Sequence, residues 1–240
     1  MSESAPLVDV VVATYDHPRE LAETWRALKQ RLHYPNLRWV VADDYSPVGV
    51  LEFIKAELQP DIIFRTKKRS GIGINVNNAL RRLDSDYVFF VEDDRVLRNV
   101  HIDLVPGVDL LYHYPEFGMV RYGGIEGHDV TCRLRELEAM PFAVFDRAQM
   151  RYPVWELLKN SHTLYVYSGA PHLKHRRFHE AYGLYLEGYK LGVTEEEFCH
   201  RFGDMQGPAI VCFPDFVACH FDHIGDSRKL TEDDVGKGYP

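Results

Sequence analysis

The first half of the chain alternates between continuous apolar runs and amphipathic segments. The runs are rich in β-branched and aromatic residues, which predicts buried strands, and the segments between them repeat apolar residues at helical spacing. Strands are predicted at residues 8–15, 37–42, 61–66 and 86–91, and helices at residues 16–33, 50–58 and 70–83. This alternation predicts an α/β fold, Rossmann-like, with a mostly parallel sheet flanked by helices.

The second half is less regular. Residues 106–160 are rich in Tyr, Pro and Arg, which predicts loops around one or two strands. Further strands are predicted at residues 163–169, 209–213 and 216–220, and helices at residues 175–189 and 195–203. Residues 226–240 are polar, so we expect a partly mobile tail after a single domain of residues 1–225.

Polar side chains follow three of the predicted strands, at the point where each strand ends. They are Thr14 and Tyr15 after the first strand, Asp43 and Asp44 after the second, and Glu92, Asp93 and Asp94 after the fourth. The carboxyl ends of parallel strands share one edge of a sheet, and ligands bind beyond that edge. The sequence therefore predicts a binding site there.

The acidic triplet of residues 92–94 indicates a cation. Adjacent carboxylates repel one another in a crevice of low dielectric, and a hard divalent ion such as Mg²⁺ or Mn²⁺ relieves that repulsion. Such ions are commonly held by one or two carboxylates together with substrate phosphates. Taken alone, the triplet also suits a solvated turn, but its place after four apolar strand residues favours a metal site for a diphosphate.

Composition narrows the class of protein. The chain has 240 residues and a formal net charge of −8, which disfavours general attraction to nucleic acid or anionic membrane. Its four cysteines form no CxxC pair and predict reduced thiols. No apolar run reaches the roughly 18 residues of a membrane span, and the first residues do not have the pattern of a signal peptide. We therefore expect a cytoplasmic protein.

Four stretches together resemble the family 2 glycosyltransferases, which have the GT-A fold. In chain order they are VVVATYDHPRELAETWRAL, WVVADDYSP, GIGINVNNALRRLDSDYVFFVEDD and HRRFHEAYGLYLEGYKLGVTEEEFCHRFG. The resemblance implies a GT-A domain in which residues 7–105 form the nucleotide-sugar-binding half and residues 106–225 the acceptor-side half. It also implies an inverting, metal-dependent transfer of a sugar from a nucleotide-sugar donor to an acceptor hydroxyl.

The resemblance assigns a set of residues to the donor. Those expected to bind the nucleotide sugar are Thr14, Tyr15, Asp43, Asp44, Arg69, Asn77 and Asp93. Within this set, Asp44 would contact the base and Asp93 would support the sugar or the ribose. Val76 stands where family members commonly have an arginine. The resemblance therefore implies that Lys68 or Arg69 makes the phosphate or base contacts instead.

The resemblance also assigns residues to the metal ion. Asp94 aligns with the metal-ligating acid of the family and would hold Mn²⁺ or Mg²⁺. In several GT-A enzymes a late histidine completes the metal shell, and His220 and His223 are the candidates here. His223 is favoured because it precedes a predicted turn at Gly225.

The catalytic base falls in the run TEEEF. Glu195 aligns with the acidic residue that removes the acceptor proton, and Glu196 is the alternative. From spacing alone, Thr194 followed by glutamates is typical of a capped helix start. The resemblance instead favours a general base at the start of that helix, where the ionised carboxylate is stabilised.

Other classes of function remain open. A nucleotidyltransferase also uses a nucleotide-binding α/β sheet, but it usually has a glycine-rich loop after the first strand, where this chain has ATYDHP. A catalytically silent nucleotide-sugar-binding module would keep the fold without the reaction. The acceptor is a glycan, a glycolipid or a modified nucleobase, with carbohydrate favoured. Basic patches at residues 66–70 and 173–178 keep nucleic acid among the candidate partners.

Overall fold

The computed structural model of the chain describes residues 5–124, 131–138, 151–159, 166–216 and 220–224. The strands are β1 (Val8–Thr14), β2 (Leu32–His33), β3 (Leu37–Asp43), β4 (Ile62–Arg65), β5 (Tyr87–Glu92), β6 (Arg95–Leu97), β7 (Ile102–Asp103), β8 (Phe117–Arg121), β9 (Cys132–Glu138), β10 (Arg151–Leu157), β11 (His172–His175), β12 (Ala209–Cys212) and β13 (Phe221–His223). The α-helices are α1 (Pro18–Arg31), α2 (Val48–Phe53), α3 (Ile72–Leu80), α4 (Val105–His113), α5 (Arg177–Tyr182) and α6 (Leu191–Asp204). A π-helical turn, Ile54–Leu58, extends α2, and a 3₁₀ turn covers Pro214–Phe216.

Nine of the described strands form one sheet, in the order β4-β3-β1-β5-β11-β8-β12-β10-β9. The strands predicted in the first half pair in parallel as β4-β3-β1-β5, which confirms the predicted α/β arrangement. Beyond them the sheet is mixed, because β11 runs antiparallel to both of its neighbours and β10 runs antiparallel to β12 and β9.

The central strand β1 separates two hydrophobic cores. All of its side chains are buried, which explains its continuous apolar pattern. Alternate side chains face opposite layers. Val10 packs in a core with Trp25 of α1, and Val11 packs in the other core with Phe198 of α6. Asp9 is the one acidic residue in this strand, and its buried carboxylate accepts two hydrogen bonds from the Arg38 guanidinium group.

Several boundaries predicted in the second half are wrong. Residues 106–160 contain α4 and the strands β8, β9 and β10, rather than loops around one or two strands. The predicted helix 175–189 is helical only at Arg177–Tyr182, because Gly183 adopts a left-handed φ of 80° that ends it. Of the predicted strand 216–220, residues 217–219 lie outside the described residues, Phe216 belongs to the 3₁₀ turn and His220 is not in a strand. Of the predicted strand 163–169, the described part, residues 166–169, is not part of a strand.

The remaining predictions have mixed outcomes. Cys132, Cys199 and Cys212 are free thiols, whereas Cys219 lies outside the described residues. The polar tail at residues 226–240 also lies outside them, so the domain bounds stay a prediction. Among the helices of the described residues, none has both the length and the apolar character needed to cross a membrane.

Candidate active site

The polar strand ends lie together at one edge of the sheet. The register pairs Thr14 of β1 with Asp43 of β3, and Ala13 of β1 with Glu92 of β5. Because the three strands are parallel and adjacent, the residues that follow them emerge on the same side. The predicted convergence of the polar strand ends is confirmed, and the binding of a ligand there stays a prediction.

Asp93 ties the ends of β1 and β5 together. Its Oδ2 atom accepts a hydrogen bond from Thr14 Oγ1 at 2.6 Å, and its carbonyl oxygen accepts one from Thr24 Oγ1 at 2.7 Å. His17 Nδ1 lies 3.6 Å from the same Oδ2 atom. Burial raises the pKa of Asp93, while His17 and Thr14 oppose that rise, and the Asp93 carboxylate in turn raises the pKa of His17. Asp93 therefore orders the edge, and its predicted contact with the sugar stays a prediction.

Asp43 and Asp44 have different surroundings. Asp43 is fully buried, and Arg65 at the end of β4 donates to its Oδ2 atom at 2.9 Å. Asp44 accepts from the backbone N–H groups of Ser70 at 2.8 Å and Gly71 at 2.7 Å. Burial raises the pKa of Asp44, and these hydrogen bonds oppose the rise. Asp44 thus anchors the loop that leads into α3, which forms one wall of the edge site.

Two arginines stack on tyrosines beside this wall. The guanidinium carbon of Arg69 lies 4.3 Å from the ring centroid of Tyr15, and that of Arg65 lies 4.4 Å from the ring centroid of Tyr45. Such stacks hold a flat cationic surface beside the edge. Arg69 and Tyr15 were predicted to bind the donor. Arg65 was not, although its position at the end of a parallel strand could have indicated it.

Asn77 is not brought to the edge with the other predicted donor ligands. Its side chain is fully buried, and its Oδ1 atom accepts a hydrogen bond from Tyr185 N at 3.0 Å. Its Nδ2 atom donates to the Tyr185 carbonyl oxygen and to Glu187 Oε1, each at 2.9 Å. The amide is therefore satisfied by the protein, and it fastens the segment before α6 to α3.

Asp94 meets one of the two predicted histidines. Strand β13 pairs with β6, and His223 Nε2 lies 2.8 Å from Asp94 Oδ2. His220 is directed elsewhere, because its Nε2 atom lies 2.7 Å from the carbonyl oxygen of Asp215. Asp94 Oδ1 is buried and has no hydrogen-bond partner among the described residues, although Arg95 Nε lies 3.9 Å away.

This pair has the chemistry of a partial site for a divalent cation. A buried carboxylate oxygen that accepts no hydrogen bond from the described residues, next to an imidazole nitrogen, suits Mn²⁺ or Mg²⁺ when substrate phosphates and water fill the other positions. Within the described residues, no group of three or more metal-ligating side chains converges. Asp94 and His223 are therefore the two described ligands that fit such an ion.

Glu195, rather than Glu196, faces the interior. Helix α6 begins at Leu191, so the predicted helix start at Thr194 is wrong, and Glu195 lies one turn inside the helix. Its Oε1 atom accepts a hydrogen bond from the backbone N–H of Gly169. Glu196 lies on the exposed face, with its Oε1 atom 3.8 Å from His200 Nε2.

Glu195 and Glu92 converge on a small cavity next to Gly169. A Cβ atom built on Gly169 would lie 2.9 Å from Glu195 Oε1 and 3.4 Å from Glu92 Oε1. Both carboxyl groups line the cavity, whose other walls include the rings of Tyr167 and Tyr185. Burial raises the pKa of Glu92 to about 8; Asp94 and Glu195 add to this rise, and Arg95 opposes it. The sequence placed Glu92 in the acidic triplet but gave no sign that it faces Glu195.

Solved structures of glycosyltransferases share the fold of this chain. A mannosyltransferase of Pyrobaculum calidifontis in complex with GDP-Man and Mn²⁺ matches with a TM-score of 0.58 at 18% identity, over 94% of this chain and 59% of that one. S. aureus TarS 1-349 in complex with UDP-GlcNAc gives 0.57 at 16% identity, over 92% and 61%. GalNAc-T7 with UDP, GalNAc and Mn²⁺ gives 0.59 at 14%, over 88% and 43%. At these identities the likeness establishes the fold, and this chain spans about three fifths or less of the length of each.

A family match adds a more specific finding. Residues 9–102 match the sequence model of glycosyl transferase family 2, which confirms the resemblance for the first three of the four motifs. The matched residues run from β1 to β7 and include Thr14, Asp44 and Asp94. Among curated protein sequences, none matches the chain significantly.

Proposed function

We propose that this chain is an inverting, metal-dependent glycosyltransferase that moves a sugar from a nucleotide-sugar donor to an acceptor hydroxyl. The observation that carries the proposal is the pairing of Asp94 with His223 at the same sheet edge as Asp44, with Glu195 nearby on α6. The family match and the nucleotide sugars in the neighbouring structures support the class of donor.

The donor is expected to lie along the edge built by β1, β3 and β5. Asp44 retains carboxylate lone pairs beyond its three hydrogen bonds, and these can accept from a base or a ribose hydroxyl. Arg69 and Arg65, stacked on Tyr15 and Tyr45, offer positive charge beside the phosphates. The edge therefore combines acceptors for a nucleoside with cations for a diphosphate.

The leaving group is a nucleoside diphosphate. When bound by Asp94 and His223, Mn²⁺ or Mg²⁺ would act as a Lewis acid for the charge that develops on the departing phosphate. Asp93, held by Thr14 and close to His17, keeps this part of the edge in a fixed position. Rigid placement of such groups before the reaction is what makes them effective.

Glu195 is proposed as the general base. An acceptor hydroxyl is a poor nucleophile, and a carboxylate that takes its proton during attack raises its reactivity. The Gly169 N–H fixes one oxygen of Glu195, and the other oxygen is proposed to accept the proton. Attack on the face of the sugar opposite the leaving diphosphate inverts the anomeric carbon.

A screen of nucleotide sugars tests this proposal. The protein is incubated with UDP-, GDP- and dTDP-sugars, with Mn²⁺ or with EDTA, and released nucleoside diphosphate is measured. A glycosyltransferase is expected to release the diphosphate slowly to water with Mn²⁺ and to stop with EDTA. Release of pyrophosphate from nucleoside triphosphates would instead show a nucleotidyltransferase. Binding without turnover, even with a panel of glycan, glycolipid and nucleobase acceptors, would show a silent binding module.

A further inference from the structure

A row of hydrogen-bonded side chains leads away from the cavity between Glu92 and Glu195. Tyr167 and Tyr185, which line that cavity, share a hydrogen bond between their hydroxyl groups. Tyr185 Oη lies 2.7 Å from Lys174 Nζ, and Lys174 Nζ lies 2.9 Å from His179 Nε2. His179 Nδ1 lies 2.9 Å from the carbonyl oxygen of Gly183. The proposed reaction assigns no role to this row of hydrogen-bonded side chains.

The hydrogen bond between His179 and Gly183 fixes the direction of the other hydrogen bonds in this row. A carbonyl oxygen only accepts, so His179 Nδ1 must carry the proton that bonds to Gly183. Burial holds the pKa of His179 well below its usual value, so the ring is neutral and its Nε2 atom is an acceptor. Lys174 therefore donates to His179.

The surroundings of Lys174 favour its uncharged form. The residue is 1% exposed, and its hydrogen-bond partners among the described residues are a hydroxyl and an imidazole rather than a carboxylate. Burial holds the pKa of Lys174 well below that of a solvated amine. Its Nζ atom lies 5.6 Å from the centroid of the Phe90 ring and 5.0 Å from that of the Tyr185 ring.

The charged groups around Lys174 are already paired with other residues. The groove next to it is lined by Arg81, His175, Arg176 and Glu180. Arg81 pairs with Glu187, and Arg176 pairs with Asp86 and Glu180. Burial also lowers the pKa of His175 to about 4, so that side chain carries no charge at neutral pH. No free carboxylate of the described part of the chain therefore stabilises an ammonium group at this position.

The charge of Lys174 decides where the two tyrosine protons point. An uncharged amine keeps a lone pair that can accept the Tyr185 proton, and Tyr185 Oη can then accept the proton of Tyr167. A charged ammonium group has no lone pair and donates to Tyr185 instead. The Tyr185 proton would then turn to Tyr167, and the Tyr167 proton would turn into the cavity that Glu195 lines.

We propose that uncharged Lys174 is a positioning residue, which keeps the hydroxyl protons of Tyr167 and Tyr185 turned away from Glu195. The inference rests on the proposed role of Glu195 as the general base. In this arrangement the Gly169 N–H is the donor to Glu195, and the tyrosines add no further one. Each added donor to a carboxylate stabilises its ionised form and weakens it as a base, so the orientation preserves its ability to take a proton.

Lys174→Arg tests this orientation, because a guanidinium group stays charged and can only donate. The acid limb of the pH profile of kcat/KM is expected to move to lower pH by about one unit, and the plateau to fall roughly threefold. Adding Tyr167→Phe removes the proton that turns into the cavity, so the double variant is expected to return the limb to the wild-type position. A purely structural role would lower the rate without moving the limb, and that result would overturn the proposal.

Lys159→Arg is the matched control. Lys159 also packs over aromatic rings, those of Tyr182 and Phe202, but it donates to the backbone carbonyls of Met205 and Gly207. The acid limb of the pH profile of kcat/KM should not shift in Lys159→Arg. A shift equal to that of Lys174→Arg would also contradict the proposal.

The charge of Lys174 has a second readout that needs no activity. If the folded state holds an uncharged Lys174, unfolding takes up one proton at pH values below about 10.4, the ordinary value for lysine. The free energy of unfolding of the wild type should then rise with pH between about 7 and 9, relative to Lys174→Met, with the slope of one proton. Equal slopes would show a charged Lys174 and overturn the proposal. An inactive wild type with the one-proton slope would instead contradict the proposed function.

Discussion

His223 Nε2 lies 2.8 Å from Asp94 Oδ2, although the two residues come from distant parts of the sequence. The short pairing of β13 with β6 brings them together, and Ile224 N donates to the Asp94 carbonyl oxygen at 2.9 Å. The candidate metal position is thus shared between the family-matched residues 9–102 and the last described strand. An acid that follows β5 and a histidine of β13 are thus in direct contact.

The two adjacent glutamates of α6 should behave differently. Glu195→Gln is expected to lower the rate of sugar transfer by at least about 100-fold, because it removes the proposed base. Glu196→Gln is the matched control, and it should stay within about twofold of the wild type because Glu196 is exposed beside His200. Steady-state rates with saturating donor measure both. Similar losses in the two variants would contradict the assignment of Glu195.

Gly73 is expected to tolerate no larger residue. A Cβ atom on Gly73 would lie 2.2 Å from the carbonyl oxygen of Leu186, so Gly73→Ala must displace backbone that crosses α3. We expect a loss of about 1–3 kcal/mol in the free energy of unfolding, measured with urea. Gly49→Ala, where nothing lies within 4 Å, is the control and should change stability by less than about 0.5 kcal/mol. Equal changes in stability in the two variants would show that the backbone at Leu186 moves aside at little cost.

The parallel half of the sheet could be predicted because its signals are local. Runs such as Val10–Val12 are buried on both faces, and the helices between them carry one apolar face. Each element is therefore visible in its own residues. The second half mixes antiparallel strands with short helices, and its pairings join distant segments, such as β11 with both β5 and β8. The predicted helix through residue 189 failed because Gly183 ends it and the buried Tyr185 is then held by hydrogen bonds from its backbone to Asn77 of α3.

The candidate site was predictable only in part for the same reason. Acids at strand ends mark the edge, since parallel strands share it. The hydrogen bond from Gly169 to Glu195, and the approach of Glu92 to the same point, depend on a loop that no local pattern specifies. From the sequence, Lys174 was only part of the basic patch at residues 173–178, because its burial against Tyr185 cannot be read from neighbouring residues.

His175 should make stability depend on pH in the acid range. Burial, with Arg177 adding to it, lowers the pKa of His175 to about 4, whereas an unfolded histidine titrates near 6.5. Between these values the unfolded state binds the extra proton, so the free energy of unfolding falls as the pH drops from about 6.5 to 4. His175→Asn keeps an acceptor near Arg177 N and should reduce this fall, by about 1 kcal/mol once solvent screening at the half-exposed ring is allowed for. If the free energy of unfolding fell equally with pH in the wild type and in His175→Asn, the lowered pKa of His175 would be contradicted.

The central claim is that Asp94 and His223 hold a divalent cation together with the donor diphosphate. Electron paramagnetic resonance of Mn²⁺ measures this directly, in the presence of whichever nucleoside diphosphate the donor screen releases. We predict that the wild type binds Mn²⁺ with the nucleotide, that Asp94→Asn and His223→Gln weaken that binding by at least about 10-fold, and that His220→Gln leaves it unchanged. Undiminished Mn²⁺ binding in a folded Asp94→Asn variant would contradict the account.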